Sequence, residues 1–430
     1  MKTLIISHNP ISTDNNMGKT LLSLFDTFDE KDLCQLYIYP ILPNIKKCGS
    51  YFQITDKMVL ESILKFNSCG LEVKVDTETA QSFDKSEFEE KAFTNKKNKR
   101  ELKLILRSLI WKMGFWYNKS LKNWIEREKP DVIFATGGVS SFFYPFVMKI
   151  ARKHNLPIVA YVCDDFFFCK TKKDIISKIY YRNLKKNIHS MMHKSCSIIS
   201  ICEPLSQKYN KFFNVKTDTI YTGVSIGNKE NEDSMNAVNI SYFGNLFIGR
   251  NTSLAEVGTA LDAINKEQKT NFKLNIYTNT KDEGIKTVFE GIDSISVQGF
   301  VSSEKVIDLM NDSVLLLHVE GFEEDQIERV RYSISTKIPE SLNSGVCLFA
   351  YGPSEDASID YLHKNDCAIV SKNKSELKKS LEIALFDAEK RKACIRKAKD
   401  VARNNHDKET QSKKLKELLN DAVIQHKNIR

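Results

Sequence analysis

Residues Tyr332–Pro353 read YSISTKIPESLNSGVCLFAYGP, and how this stretch is interpreted decides the fold. Ser333, Ser335 and Thr336 are hydroxyl residues of the kind that cap helix starts. Pro339 follows where a first helical turn tolerates the missing N–H. Gly345 ends a short helix, and the apolar run Val346–Ala350 predicts a buried strand. A hydroxyl-capped helix start collects unpaired N–H groups and positive dipole, which suits a diphosphate. Glu340, one turn further in, is placed to accept hydrogen bonds from a pair of ribose hydroxyls. The same residues also read as an ordinary helix-to-strand connection with Glu340 in solvent, because such connections are short and common in α/β domains.

Working upstream, Val314–His318 is a strand entering this stretch, and Glu320-Gly321-Phe322 precedes a charged insertion, Glu323–Arg331. Ser294–Phe300, Phe272–Tyr277 and Asn239–Phe243 are further strands, the last running into the glycine turn Gly244-Asn245 and then Arg250. The polar stretch Ser225–Asn236 is the best linker in the chain. Before it lies a second series: Ser197–Ile201, Pro157–Val162 ending at Cys163-Asp164-Asp165, and a strand entered through Pro130 that leads to Thr136-Gly137-Gly138. Strand-end loops of this kind are where α/β domains bind ligands. Adjacent acids such as Asp164 and Asp165 raise one another's pKa and can orient or deprotonate a hydroxyl, while Asp165 reads equally well as a cap on the following loop. Nearer the start, Leu36–Ile41, Leu71–Val75 and Lys2–Ser7 are strand candidates.

Gly18-Lys19-Thr20 invites a phosphate-loop reading, but the position that needs the first glycine holds Thr13. A nucleoside triphosphatase is therefore set aside, and Gly18 is read as a loop glycine that lets substrate approach the backbone. Residues 94–122 carry Lys96, Lys97, Lys99, Arg100, Lys103 and Arg107 around an apolar face that includes Trp111 and Trp116. That pattern fits either a helix lying on an anionic membrane or a buried helix with a basic wet face.

At 430 residues the chain exceeds one comfortable core, so two domains are expected. Lys plus Arg is 64 against 55 for Asp plus Glu, a mild excess, and no nucleic-acid recognition motif accompanies it. The ten cysteines form no CxxC pair, which excludes zinc-ribbon spacing and argues for a reduced, cytoplasmic protein. No apolar run approaches the ~20 residues of a spanning helix, and no signal peptide is visible. No metal-ligand spacing appears, and neither metal nor cofactor is expected.

Lys337, Glu340, Gly345 and the strand ending at Gly352-Pro353 resemble the donor-binding element of GT-B glycosyltransferases, family 4 in particular. The resemblance covers most of residues 120–370 and is architectural before that. It implies two doubly wound Rossmann-like α/β domains facing a cleft: residues 1–228 for the acceptor, 229–405 for the nucleotide-sugar, and a helix over 406–430 crossing back. By resemblance Glu340 binds the donor ribose, Ser335, Thr336 and Lys337 meet the diphosphate, and Gly299-Phe300-Val301 is the base-binding turn, with Phe300 and Val301 at the nucleobase edge. Gly244 and Arg250 stand where the family holds the diphosphate, with Ala255 in place of a usual second cation and Lys337 or Arg331 as substitutes. Asp164 matches the aspartate of the family's acceptor-side His-Asp pair, Cys163 replacing the histidine. Retaining members carry a second glutamate at a fixed spacing; Tyr332 occupies that position, and Glu320 looks like the displaced carboxylate. The resemblance thus implies metal-independent transfer of a sugar from a nucleotide-diphosphate donor to a glycan or lipid-linked hydroxyl, with Asp164, Asp165 and Glu320 as catalytic candidates. An epimerase or phosphorylase on the same fold, or a degenerate binding protein, is the alternative. Location at the inner face of a membrane through residues 94–122 is part of this expectation.

Overall fold

The computed structural model describes residues 1–13, 16–65, 69–75, 98–170, 174–227 and 238–428. Most of the linker stretch Ser225–Asn236, and residues 94–97 of the basic stretch, lie outside these. The chain forms two compact units, Met1–Tyr221 with Glu409–Arg430, and Thr222–Lys408.

Unit 1 is built on β1 (Thr3–Ser7), β2 (Leu33–Tyr37), β3 (Ser50–Gln53), β4 (Leu71–Val73), β5 (Val132–Thr136), β6 (Ile158–Val162), β7 (Ser197–Ser200) and β8 (Thr217–Thr219). Their order in the sheet is β4-β3-β2-β1-β5-β6-β7-β8, and all pairs are parallel except β3 with β4. Every residue of β1, β5 and β6 is buried, which is why these strands read as unbroken apolar runs, as parallel strands covered on both faces do. The chain runs outward from β1 to β4 and then returns to β5 on the other side, so the topological switch point lies between β1 and β5. The helix Lys408–Asn428 belongs to this unit: Leu415, Leu418, Leu419 and Ala422 join the core around Leu21 and Phe25, and Thr27 donates its backbone N–H to Ser412 Oγ at 3.1 Å.

Unit 2 is a six-stranded parallel sheet of β9 (Asn239–Phe243), β10 (Lys273–Tyr277), β11 (Ile295–Gln298), β12 (Ser313–Val319), β13 (Cys347–Tyr351) and β14 (Ile369–Ser371). The order is β11-β10-β9-β12-β13-β14, so the switch point falls between β9 and β12. The helix Arg250–Gln268 follows β9 and buries Leu254, Val257, Leu261 and Ile264 against the sheet.

Several local expectations are corrected. The second strand is Leu33–Tyr37, not Leu36–Ile41, because buried Gln35 interrupts the apolar pattern without leaving the strand. Its amide is satisfied inside, donating to Ser7 Oγ and the Asn9 carbonyl and accepting from Ile11 N–H. The third apolar segment pairs only over Leu71–Val73, and β3 was not anticipated. Gly18 is not in a loop but buried in the first turns of the helix Asn16–Leu24. The helix of the deciding stretch spans only Ile338–Asn343, and its N-cap is Lys337 with no side-chain cap bond. The hydroxyl cap is absent because Ser335 instead turns the chain before the helix, its Oγ accepting from Lys337 N–H at 3.4 Å.

The largest correction concerns the tryptophans. Trp111 and Trp116 are 2% and 5% exposed, so neither inserts into a membrane. Trp111 stacks on Phe142 with ring centroids 4.3 Å apart and donates Nε1–H to Asp56 Oδ1 at 2.6 Å; Trp116 donates to the Trp111 carbonyl at 2.9 Å. Buried indoles with both faces covered and N–H groups satisfied belong to a core. The helix Asn98–Met113 turns other side chains outward: Leu102, Leu106, Leu109 and Met113 are about half exposed or more and follow helical spacing.

Candidate functional site

The unit 2 switch point gathers the loops that leave β9, β12 and β13. The β9 loop carries Gly244 and Asn245, then Gly249 in the left-handed region (φ 76°) just before Arg250 opens its helix. A Cβ at Gly249 would meet only the movable end of the Gln326 side chain, so it is the left-handed backbone that favours glycine here. The β12 loop brings Glu320. The β13 loop, Gly352–Asp356, ends in Asp356, whose Oδ1 caps the helix Ala357–Lys364 by accepting from Ser358 and Ile359 N–H.

Arg250 and Glu320, read separately from the sequence as a phosphate ligand and a catalytic carboxylate, are partners of each other. Arg250 Nε donates to Glu320 Oε2 at 3.0 Å and Nη2 to Oε1 at 2.9 Å, a two-pronged pair with side chains 16% and 2% exposed. Nη1 of Arg250 bonds Asn245 Oδ1 at 3.1 Å, so the turn after β9 aims the guanidinium. His318, on β12, places Nε2 3.5 Å from Glu320 Oε1. Burial pushes both the Glu320 and Asp356 carboxyls upward, Asp356 further because Glu320's charge lies beside it. Of the two acids only Glu320 is hydrogen-bonded by the guanidinium, which opposes its upward shift; Asp356 has no such bond. Burial first and Arg250's charge second hold His318 neutral, with a pKa lowered to about 3.

His318, Glu320 and Asp356 each offer a potential metal-ligand atom within 4.8 Å of the others. They do not suit an ion: both Glu320 oxygens are taken by Arg250 and one Asp356 oxygen by backbone N–H groups, leaving His318 Nε2 and Asp356 Oδ2 as the atoms without partners. Two ligands beside a fixed guanidinium fall short of a metal centre.

The Ser333–Lys337 turn is tied to this cluster. Ser335 N–H donates to Ser358 Oγ at 3.2 Å, and Ser358 Oγ donates to the Ser333 carbonyl at 3.2 Å, while Ser358 N–H is held by Asp356. Thr336, Lys337 and Glu340 are exposed beyond it. Gly244 follows β9; a Cβ there would lie 2.5 Å from the Tyr242 hydroxyl, so the turn is closed against its own strand. Phe300 is 75% exposed after the edge strand β11, with Val301 half-buried beside it.

In unit 1 Asp164 is exposed at the end of β6 and Asp165 is half-buried. Asp165 Oδ1 accepts from Phe167 and Phe168 N–H at 3.0 and 2.8 Å, the capping geometry, and burial raises its pKa against those bonds. Reading the sequence alone missed His318 and Asp356. A histidine inside a strand and an aspartate before Ala-Ser carry no local signal beyond a helix cap.

No protein-family model matches the chain, and no curated protein matches it in sequence. Solved structures do match in shape. Sucrose-phosphate synthase from Thermosynechococcus elongatus is similar at a TM-score of 0.62 and 8% identity, over 98% of this chain and 99% of that one. HepE from Anabaena in complex with UDP is similar at 0.61 and 11% identity, over 98% and 100%. An α,α-trehalose-phosphate synthase from Burkholderia xenovorans in complex with glucose-6-phosphate is similar at 0.60 and 9% identity, over 98% and 100%. Two doubly wound units in one chain, superposing along almost the whole length of these glycosyltransferases, establish that this chain has the GT-B fold.

Proposed function

We propose that this chain is a glycosyltransferase that moves a sugar from a nucleotide-diphosphate donor to a hydroxyl of a glycan or lipid-linked acceptor. The observation that carries the reading is Arg250, aimed by Asn245 and braced by Glu320 at the switch point of unit 2. Ligands of doubly wound sheets bind there, and a braced guanidinium is the group that stabilises a departing diphosphate. Lys337 is the second cation, on a turn tied to the same cluster through Ser358, and Glu340 takes the ribose. Phe300 and Val301 meet the base. In this reading Glu320 acts through Arg250 instead of touching the sugar, and Asp164 is the carboxylate that addresses the acceptor. Charge on the leaving group is met by side chains, so no metal is invoked. The relatives of like shape bound to UDP or to glucose-6-phosphate support the substrate class.

The acceptor is proposed to be lipid-linked, with Leu102, Leu106, Leu109, Met113 and Phe115 as the membrane-facing surface in place of the tryptophans. Lys103 and Lys112 are exposed on the same helix, the combination that holds a helix on an anionic leaflet. Among the described residues no helix is long and apolar enough to cross a membrane, so contact would be peripheral.

The test is a thermal-shift screen against UDP, GDP, CMP and dTDP sugars, followed by the Glu340→Gln variant. A ligand of the native state raises the melting temperature by mass action. Losing a charged hydrogen-bond partner costs about 1.5–3 kcal/mol, so Glu340→Gln should weaken the nucleotide about tenfold or more. A chain that binds no nucleotide-sugar, or a folded variant that binds with unchanged affinity, overturns the reading or the role respectively.

A further inference from the structure

The charged insertion after Glu320 folds into the helix Glu324–Val330, and none of the roles above uses it. Phe322 anchors its start against Tyr351, ring centroids 4.9 Å apart, and Val330 is buried at its end. Between them Gln326 turns back over the unit 2 switch point. Its Oε1 accepts from Glu323 N–H at 3.2 Å, while its own backbone N–H is held by the Glu323 side chain, a reciprocal cap. The amide fills space that two glycines leave open. A Cβ on Gly249 would stand 2.1 Å from Gln326 Oε1 and 2.8 Å from Nε2, and one on Gly321 would stand 2.2 Å from Oε1. Gly249 precedes Arg250 and Gly321 follows Glu320, so the amide lies against the backbone beside each member of the ion pair.

Holding the two loops together does not require this amide. Arg250 already bonds Glu320 twice, and Ser253 Oγ donates to the Glu320 carbonyl at 2.7 Å. What the seat fixes is the direction of the amide. The Glu323 N–H settles which end is oxygen, because a nitrogen there would set donor against donor. Nε2 is thus the end with no hydrogen-bond partner among the described residues, and it lies near Gly249, on the Arg250 side. Arg250 has donors to spare as well: three of its five N–H groups are taken, two by Glu320 and one by Asn245. Donors left over on both side chains suit the oxygens of an anion.

We propose that Gln326 Nε2 donates to the sugar-bearing phosphate of the nucleotide-diphosphate donor, beside Arg250. The inference rests on the glycosyltransferase reading and adds a residue to its donor site. As the bond between sugar carbon and phosphate oxygen breaks, negative charge gathers on that phosphate. A fixed neutral donor beside the guanidinium meets it without adding a further charge to the site.

The experiment measures the affinity of the full chain for UDP against UMP, GDP against GMP, CDP against CMP and dTDP against dTMP, at about pH 8 so that terminal phosphates are fully ionised. The monophosphates lack the phosphate that Gln326 is proposed to meet. Gln326→Glu keeps the shape and the reciprocal cap, since Glu serves at this position as Gln does, but puts an oxygen in place of the amide nitrogen. It should weaken the diphosphate that binds about tenfold or more, and the matching monophosphate less than about twofold. Gln326→Ala, which removes the donor and introduces no charge, should weaken the diphosphate about five- to tenfold with the same selectivity. Glu323→Ala breaks the cap but leaves the Glu323 N–H to seat the amide, and should not lower diphosphate affinity. Equal losses of diphosphate and monophosphate overturn the contact, as does a Gln326→Ala variant that binds like wild type. So does a loss in Glu323→Ala as large as that in Gln326→Ala, which would assign the effect to the cap. A wild-type chain that binds no nucleotide removes the glycosyltransferase reading, whereas diphosphate binding unmoved by either Gln326 variant removes only Gln326.

Discussion

Replacing Glu320 by Gln tests how the buried cluster of unit 2 is held. The substitution keeps shape but removes the anion that meets Arg250 through two bonds at 2.9 and 3.0 Å. Breaking a buried ion pair by removing one partner costs about 3–5 kcal/mol, because a charge is left uncompensated. Here a reserve exists. Burial first and the charge of Glu320 second push the Asp356 carboxyl well up; once Glu320 is neutral the second cause is gone, and Asp356 can ionise in its place beside Arg250. Glu320→Gln alone should therefore cost clearly less than that range. Asp356→Asn alone should be close to neutral, since Asn caps a helix as well as Asp does. The double variant loses both anions and should reach the full ~3–5 kcal/mol, a coupling of at least about 1 kcal/mol beyond additivity. All three tryptophans, Trp111, Trp116 and Trp124, lie in unit 1, so fluorescence would not see this. The assay is hydrogen exchange on peptides covering β12 and β13, with tryptophan fluorescence as a control that unit 1 is unchanged. Additive costs, or a single variant as costly as the double, would refute the proton reserve.

Other outcomes follow from the same geometry. His8 and His318 are lowered to about 3 and His406 to about 4, chiefly by burial. A depressed pKa gives stability that is present above the unfolded value near 6.5 and lost as the pH falls. At pH 5 each should cost about 2 kcal/mol relative to neutral pH, and a stability profile flat between pH 7 and 5 would contradict their burial. Leu106→Glu with Leu109→Glu should abolish co-sedimentation with anionic liposomes without lowering the melting temperature, both side chains being about half exposed. Wild-type protein remaining in the supernatant at low salt would remove the membrane face. Asp164→Asn should lose turnover while nucleotide affinity holds, and Asp165→Asn should be near wild type, because an amide oxygen can still accept from Phe167 and Phe168; the opposite pattern in turnover assays would exchange their roles.

What the sequence determined by itself was the alternation of the chain. Parallel strands covered on both faces are mostly apolar, so Thr3–Ser7, Ile158–Val162 and Asn239–Phe243 were legible within a residue, and Val132–Thr136 within three. So were the glycine turns at strand ends. The sequence failed where a side chain's partner lies far along the chain. Gln35 hid a strand because its amide is satisfied by the β1 end and the loop after it. Trp111 and Trp116 looked like membrane anchors because Phe142 and Asp56, which cover and satisfy them, come from other elements. Arg250 was marked for the donor phosphate and Glu320 for catalysis, yet nothing local says that two residues 70 apart take each other as partners. Periodicity is a local property and survives in one dimension; burial of a charge, and what meets it, is decided only when strands distant in sequence bring their ends to the same point.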